Sequence, residues 1–165
     1  MATFRRNGGT SRGISNNTLQ TTEALVHQAG SRSASSGQTK GNPVALVVED
    51  DNDQRELIGA ILEESDVQVI ACESGEAAMQ VMEVVGDRTV FLLADVGLAG
   101  VMDGVDLACE VDDRWPHTRL VTTSGYCEPS RLRALPRGTK HLPKPWRALD
   151  LIIELEHAIA SRQPA

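Results

Sequence analysis

From Pro43 onward, apolar and polar residues fall into blocks that name their own elements. The run VALVV at 44–48 is short and continuously apolar, as a strand buried on both faces must be. After it come acidic and amide residues, then Leu57, Ile58, Ile61 and Leu62 at helical spacing. Residues 67–72 form a second β-rich run, and Ser74 stands where it can cap a helix whose inward face is Ala77, Ala78, Val81, Met82 and Val85. VFLLA at 90–94 predicts a third buried strand, 105–114 a helix ending before Pro116, and 119–123 a fourth strand. A short helix follows Pro129, and a brief fifth strand covers 140–142. The last helix begins near Trp146, with Leu149, Ile152, Leu155 and Ile159 on one side.

Five short apolar strands alternating with five helices predict an α/β fold of the flavodoxin-like, doubly wound kind. Its five-stranded parallel sheet should run in the order 2-1-3-4-5 and be covered on both faces. Residues 1–42 break this pattern. They are rich in Ser, Thr, Gly, Asn and Gln, with one small apolar cluster at Ala24, Leu25 and Val26, too little to offset the entropy of ordering. The expected division is therefore a flexible, polar, basic arm over 1–42 and one folded domain over 43–165.

Charge sharpens the division. Five Arg/Lys against one Glu leave the arm at +4, whereas eleven against twenty-two leave the remainder at −11. A folded part so acidic argues against a nucleic-acid partner. No apolar run approaches the roughly 20 residues of a membrane span, and the arginines near the N-terminus have no apolar stretch behind them. The expected location is the cytoplasm, away from membranes. Cys72, Cys109 and Cys127 form no CxxC pair, so they are expected to be buried thiols rather than a disulfide or zinc framework.

In a doubly wound sheet, ligands bind beyond the carboxyl ends of the strands, where strand order reverses. The first strand ends in Glu49-Asp50-Asp51, the third in Asp95, the fourth in Ser124, and the fifth runs into Lys144-Pro145. Taken singly, each has a bland explanation: Asp51 and Asn52 as helix caps, Ser124-Gly125 as turn chemistry, Lys144 as a solvated charge, Asp103 as a turn before Gly104. Taken together they bring three carboxylates to one edge. Such a cluster is costly unless a hard cation neutralises it, and Mg²⁺, which prefers oxygen ligands and bridges carboxylates to phosphoryl groups, is the natural cofactor. A lysine ammonium and a hydroxyl donor complete what phosphoryl transfer demands: positioning and charge neutralisation.

VVEDD, LLADVGL followed by MDGVDLA, VTTSGY and LPKPW resemble, in order and spacing, the signature segments of the two-component response-regulator receiver family. The resemblance extends from Val44 to about Ala160. It implies a single-domain phosphoacceptor that takes a phosphoryl group from a sensor histidine kinase or histidine phosphotransfer protein, and whose only catalysis is its own phosphorylation and dephosphorylation. Carried over by position, it makes Asp95 the phosphoacceptor, with Lys144 against the phosphoryl group and Ser124 as the switch hydroxyl. Glu49, Asp50, Asp95 and the Gly97 backbone carbonyl become the Mg²⁺ ligands. The family's Lys-Pro bond is usually cis, which assigns that geometry to Lys144-Pro145. Relatives signal through the face of helix four, strand five and helix five, here about 128–135 and 141–159. A downstream protein target is expected there, with a homodimer as an option. Because the chain ends about one turn past the last helix, its output is expected to be a protein contact or a relay.

Three departures stand out. The loop after Asp95 reads GLAGVMDG, with Ala99 where a proline is commoner and one extra residue before Gly104. Gly97 and Gly125 leave the acceptor little shielded from water. His141 occupies the place of an aromatic switch residue, and either switches in its stead or is an exposed His on a short edge strand. They motivate a rival reading, a phosphorylation-independent adaptor that keeps only the fold. A phosphatase of the haloacid dehalogenase type, which also uses a strand-end aspartate, is disfavoured because Gly97 stands where its second Asp would be. Cys127 near this edge is expected to be incidental.

Overall fold

The computed structural model describes residues 41–162, so the arm expected over 1–42 lies almost wholly outside the described residues. Five parallel strands, β1 (Val44–Val48), β2 (Gln68–Cys72), β3 (Thr89–Asp95), β4 (Arg119–Ser124) and β5 (Lys140–Pro143), pair in the order β2-β1-β3-β4-β5. Helices α1 (Asn52–Leu62), α2 (Gly75–Val85), α3 (Gly104–Arg114), α4 (Pro129–Ala134) and α5 (Ala148–Arg162) connect them, with a short 3₁₀ turn at Gly86–Arg88. The predicted topology is the one observed.

Each helix starts for a local reason. Asp51 accepts a bond from the Gln54 N–H, Ser74 from Ala77, and Asp103 from both Val105 and Asp106, each offsetting free donors of a first turn. Asp51 is thus a cap, as expected, and Asp103, read from the sequence as a turn residue, caps α3. Every residue of β1 is buried, and β3 is buried up to Asp95, because helices cover both sheet faces. On one face Ala45, Val47, Phe91, Leu93 and Val121 pack against Ile58 and Leu62 of α1 and Leu151, Leu155 and Ala158 of α5. The other face receives α2 and α3.

Two expectations need correction. The inward stripe of α5 is Leu151, Leu155 and Ala158, and Leu149 is exposed. The helix begins at Ala148, two residues later than expected, and Ile152 and Ile159 only flank the stripe. Of the three thiols only Cys72 is buried; Cys109 is exposed and Cys127 half-exposed, because α3 and the loop after β4 turn those positions outward. No described helix is long and apolar enough to cross a membrane.

Candidate functional site

The parallel register delivers the site. Val48 of β1 lies beside Ala94 of β3, and Asp95 beside Thr123 of β4, so the residues that leave these strands emerge at one level. Ser124 pairs with Pro143 in β4–β5, which puts Lys144 just beyond it, its N–H donating to the Ser124 carbonyl at 2.8 Å. Carboxylate oxygens of Glu49, Asp50 and Asp95 all lie within 4.8 Å of one another. Gly104 must be glycine for the same geometry: a Cβ there would collide with the Asp95 carbonyl. The Lys144–Pro145 bond is cis, as the family resemblance implied.

Lys144 Nζ bridges two of the acids, 3.0 Å from Glu49 Oε2 and 3.3 Å from Asp95 Oδ2. Glu49 is only 1% exposed. Burial pushes its carboxyl above the usual range, with repulsion from Asp95 adding to the shift and the Lys144 bond opposing it. Burial alone would depress the Lys144 ammonium, but its bond to Glu49 and the Asp95 charge outweigh that and hold it above its ordinary value. The pair therefore keeps one firm positive charge against acids whose joint ionisation is costly. One lysine does not balance three carboxylates, and Asp95 Oδ1 is buried with no hydrogen-bond partner among the described residues. A buried acceptor left this way calls for a cation or donor group supplied from outside.

Asp50 is exposed, and its Oδ2 accepts the Ala99 N–H at 3.3 Å. Gly97 lies in the exposed loop beside the acceptor; a Cβ on it would be 3.7 Å from Asp95 Oδ2. Ser124 is buried at the end of β4, and its hydroxyl lies 3.3 Å from His141 Nε2, while His141 Nδ1 lies 3.1 Å from the Thr122 hydroxyl. His141 is thus half-buried and turned onto β4, which removes the reading of it as an exposed edge-strand residue.

Three contributors escaped sequence reasoning. Arg55 donates to the Glu49 carbonyl at 2.7 Å and to the Asp50 carbonyl at 3.3 Å, fixing the backbone of the acidic pair from α1. Arg131 of α4 pairs with Asp103 and, at 3.0 Å, with Asp106, tying α4 to the start of α3. Glu76 binds the loop after β3. Glu76 and Arg131 take partners some 25 residues away in sequence, and Arg55 reaches back to backbone carbonyls, which no side-chain pattern marks, so local spacing singled out none of them.

Comparison with known proteins agrees with this geometry. Residues 45–156 match the family model described as the response regulator receiver domain. Over 113 residues, 67% of this chain, it is 32% identical to the sensor kinase CckA of Brucella abortus (strain 2308), of which the match spans only 12%. It is 28% identical over 113 residues to the response regulator receiver protein CpdR of the same organism, spanning 92% of that protein. A response regulator receiver protein of Sinorhizobium medicae WSM419 superposes with a TM-score of 0.67 at 19% identity, covering 74% of this chain and 98% of that one. With the predicted sheet order, the acidic cluster at its switch point and a family match over most of its length, the chain belongs to the response-regulator receiver domain family of two-component systems.

Proposed function

We propose that the chain is the phosphoacceptor of a two-component phosphorelay, with Asp95 as the residue that takes the phosphoryl group. The observation that carries this reading is the Asp95 carboxylate itself: one oxygen 3.3 Å from Lys144 Nζ, the other buried and unpartnered among the described residues. An Asp95 oxygen attacks phosphorus while the bond to the donor breaks. That bond is P–N for a phosphohistidine of a sensor kinase or phosphotransfer protein, whose nitrogen leaves with the electron pair and is protonated, and P–O for a small acyl phosphate, which leaves as the carboxylate. Hydrolysis is the same displacement with water as nucleophile, and it regenerates the carboxylate. Catalysis is confined to these two self-directed steps.

The donor set fits Mg²⁺, a hard cation suited to oxygen ligands. Glu49, Asp50, Asp95 and the Gly97 carbonyl would hold it, and when bound it supplies positive charge against the phosphoryl oxygens. Lys144 contributes a second positive charge between Glu49 and Asp95 and offsets part of their mutual repulsion. Ser124 is the switch hydroxyl, which donates to the phosphoryl group once that group is present. In the tautomer in which Ser124 donates to His141 Nε2, that bond must break first, so the ring that contacts Ser124 and Thr122 becomes the reporter of phosphorylation on β5. The readout face is assigned to α4, β5 and α5, where Leu149 and Ile153 are exposed apolar residues available to a downstream protein or a second copy of the chain. The same reading assigns the chain to the cytoplasm.

The bond between His141 and Ser124 also favours a second reading, a phosphorylation-independent adaptor in which the hydroxyl is permanently engaged. One measurement separates the two. Incubated with acetyl phosphate and Mg²⁺, wild type is expected to shift on a phosphate-affinity gel, and Asp95→Asn is not. An unshifted wild type would leave the adaptor reading standing; a shift that survives Asp95→Asn would move the acceptor elsewhere.

A further inference from the structure

The loop between β3 and α3 is the segment that departs most from the commoner family pattern, and it is fastened at two points. At one, Ala99 donates its N–H to Asp50 Oδ2. At the other, Glu76 Oε1 accepts the Val101 N–H at 2.8 Å and the Met102 N–H at 3.1 Å. The backbone is brought hard against the start of α2 there: a Cβ on Gly75 would stand 2.8 Å from the Met102 carbonyl oxygen. Gly100, between the two fastenings, has φ +130, a conformation that favours glycine, and any Cβ on it would meet the Glu76 carboxylate at 3.0 Å. Bonds from its own N–H and from Val101 and Met102 hold the Glu76 carboxyl below the usual range, so it stays a charged acceptor across neutral pH.

Glu76 is the second residue of α2, where an acid also suits the helix dipole. That ordinary role would explain an acid at this position, but it would not explain two bonds sent out of the helix to another element. Only Gly100 separates Val101 from Ala99, so whatever fixes Val101 limits where the Ala99 N–H and the Gly97 backbone can lie.

We infer that Glu76 is a positioning residue of the Asp95 site: by accepting the Val101 and Met102 N–H groups it fixes the long loop so that Ala99 stays on Asp50 and Gly97 stays beside Asp95. The inference rests on the phosphoacceptor reading. A loop fixed in this way presents its backbone to the metal already ordered, whereas a loose one must be ordered when the metal binds.

The test compares wild type, Glu76→Ala and Glu76→Gln, each followed by Mg²⁺ titration, by amide proton exchange at Ala99 and by thermal unfolding. Glu76→Ala removes both acceptor bonds, and Mg²⁺ affinity is expected to fall about tenfold, the low end for loss of an outer-sphere partner. Ala99 exchange should accelerate while amides of α1 and α5 keep wild-type rates, a local signature that general destabilisation would not produce. Glu76→Gln retains a side-chain carbonyl at the same reach and should recover affinity to within about twofold of wild type. Wild-type affinity and Ala99 exchange in Glu76→Ala would overturn the inference. So would a Gln variant as weak as the Ala variant, since charge rather than the bonds would then be responsible. If wild type itself binds no Mg²⁺ and accepts no phosphoryl group, the phosphoacceptor reading fails, and Ala99 exchange alone still decides whether Glu76 orders the loop.

Discussion

His141 concentrates the residue-scale question, because one ring contacts both hydroxyls on its side of β4. In a neutral imidazole one nitrogen donates and the other accepts, and a hydroxyl can answer either, so both contacts are satisfied without a charge. Burial lowers the His141 pKa from its ordinary value of 6.5. With the folded value below the unfolded one, the unfolded chain binds more protons in the window between them. The stability this residue contributes is therefore present above 6.5 and lost as pH falls through the folded value. Replacing His141 with Gln should flatten the urea midpoint measured between about pH 7 and pH 5 relative to wild type. An unchanged slope would mean that other groups set the acid sensitivity. The sequence indicated that position 141 was unusual; only the approach of β5 to β4 says which atoms the ring touches.

At the scale of elements, the strands were legible because continuous apolar runs admit few arrangements, and the starts of α1 and α2 because Asp51 and Ser74 carry their capping chemistry beside them. The rotation of α5 was less so. Leu149, Leu151, Ile152, Ile153 and Leu155 crowd one stretch of the helix, so apolar residues occur around most of its circumference and the sequence does not choose a face. The sheet chooses it, by receiving Leu151, Leu155 and Ala158 against Phe91, Leu93 and Val121. Leu155→Ala is accordingly expected to cost about 2–5 kcal/mol of unfolding free energy, and Leu149→Ala less than about 0.5 kcal/mol, as read by denaturant unfolding. Equal costs would contradict the observed face. Helix α4 is the opposite case: six residues with none buried, held to α3 through Arg131, Asp103 and Asp106. A segment so lightly packed belongs to the low-stability end of the domain, which suits an element of the proposed readout face.

For the whole molecule, the sheet is what turns separate acids into one site. Glu49 and Asp50 follow β1 and Asp95 ends β3, so in the unfolded chain they are far apart and gather only when the two strands pair. A cation that needs all three binds the folded state alone and stabilises it by mass action. At a free Mg²⁺ concentration a hundred times its dissociation constant, the gain should be about 2.7 kcal/mol. Thermal melts with and without EDTA should show this gain in wild type and lose most of it in Asp50→Asn. A melting temperature indifferent to Mg²⁺ would remove the metal from the proposed function.

The sequence by itself determined the order of elements, the parallel sheet and the five chemical groups at its carboxyl edge: Glu49, Asp50, Asp95, Ser124 and Lys144. It could do so because hydrophobic period and capping are written into neighbouring residues, and because a parallel sheet sends every strand end to the same edge. The tertiary structure alone decided which partners those groups take: Lys144 between Glu49 and Asp95, His141 on Ser124, Arg131 on Asp103, and Glu76 on the loop that carries Gly97. Those pairings depend on angles and distances of a few ångströms between elements remote in sequence. Short-range pattern carries no record of such distances; the packing of helices onto the sheet creates them.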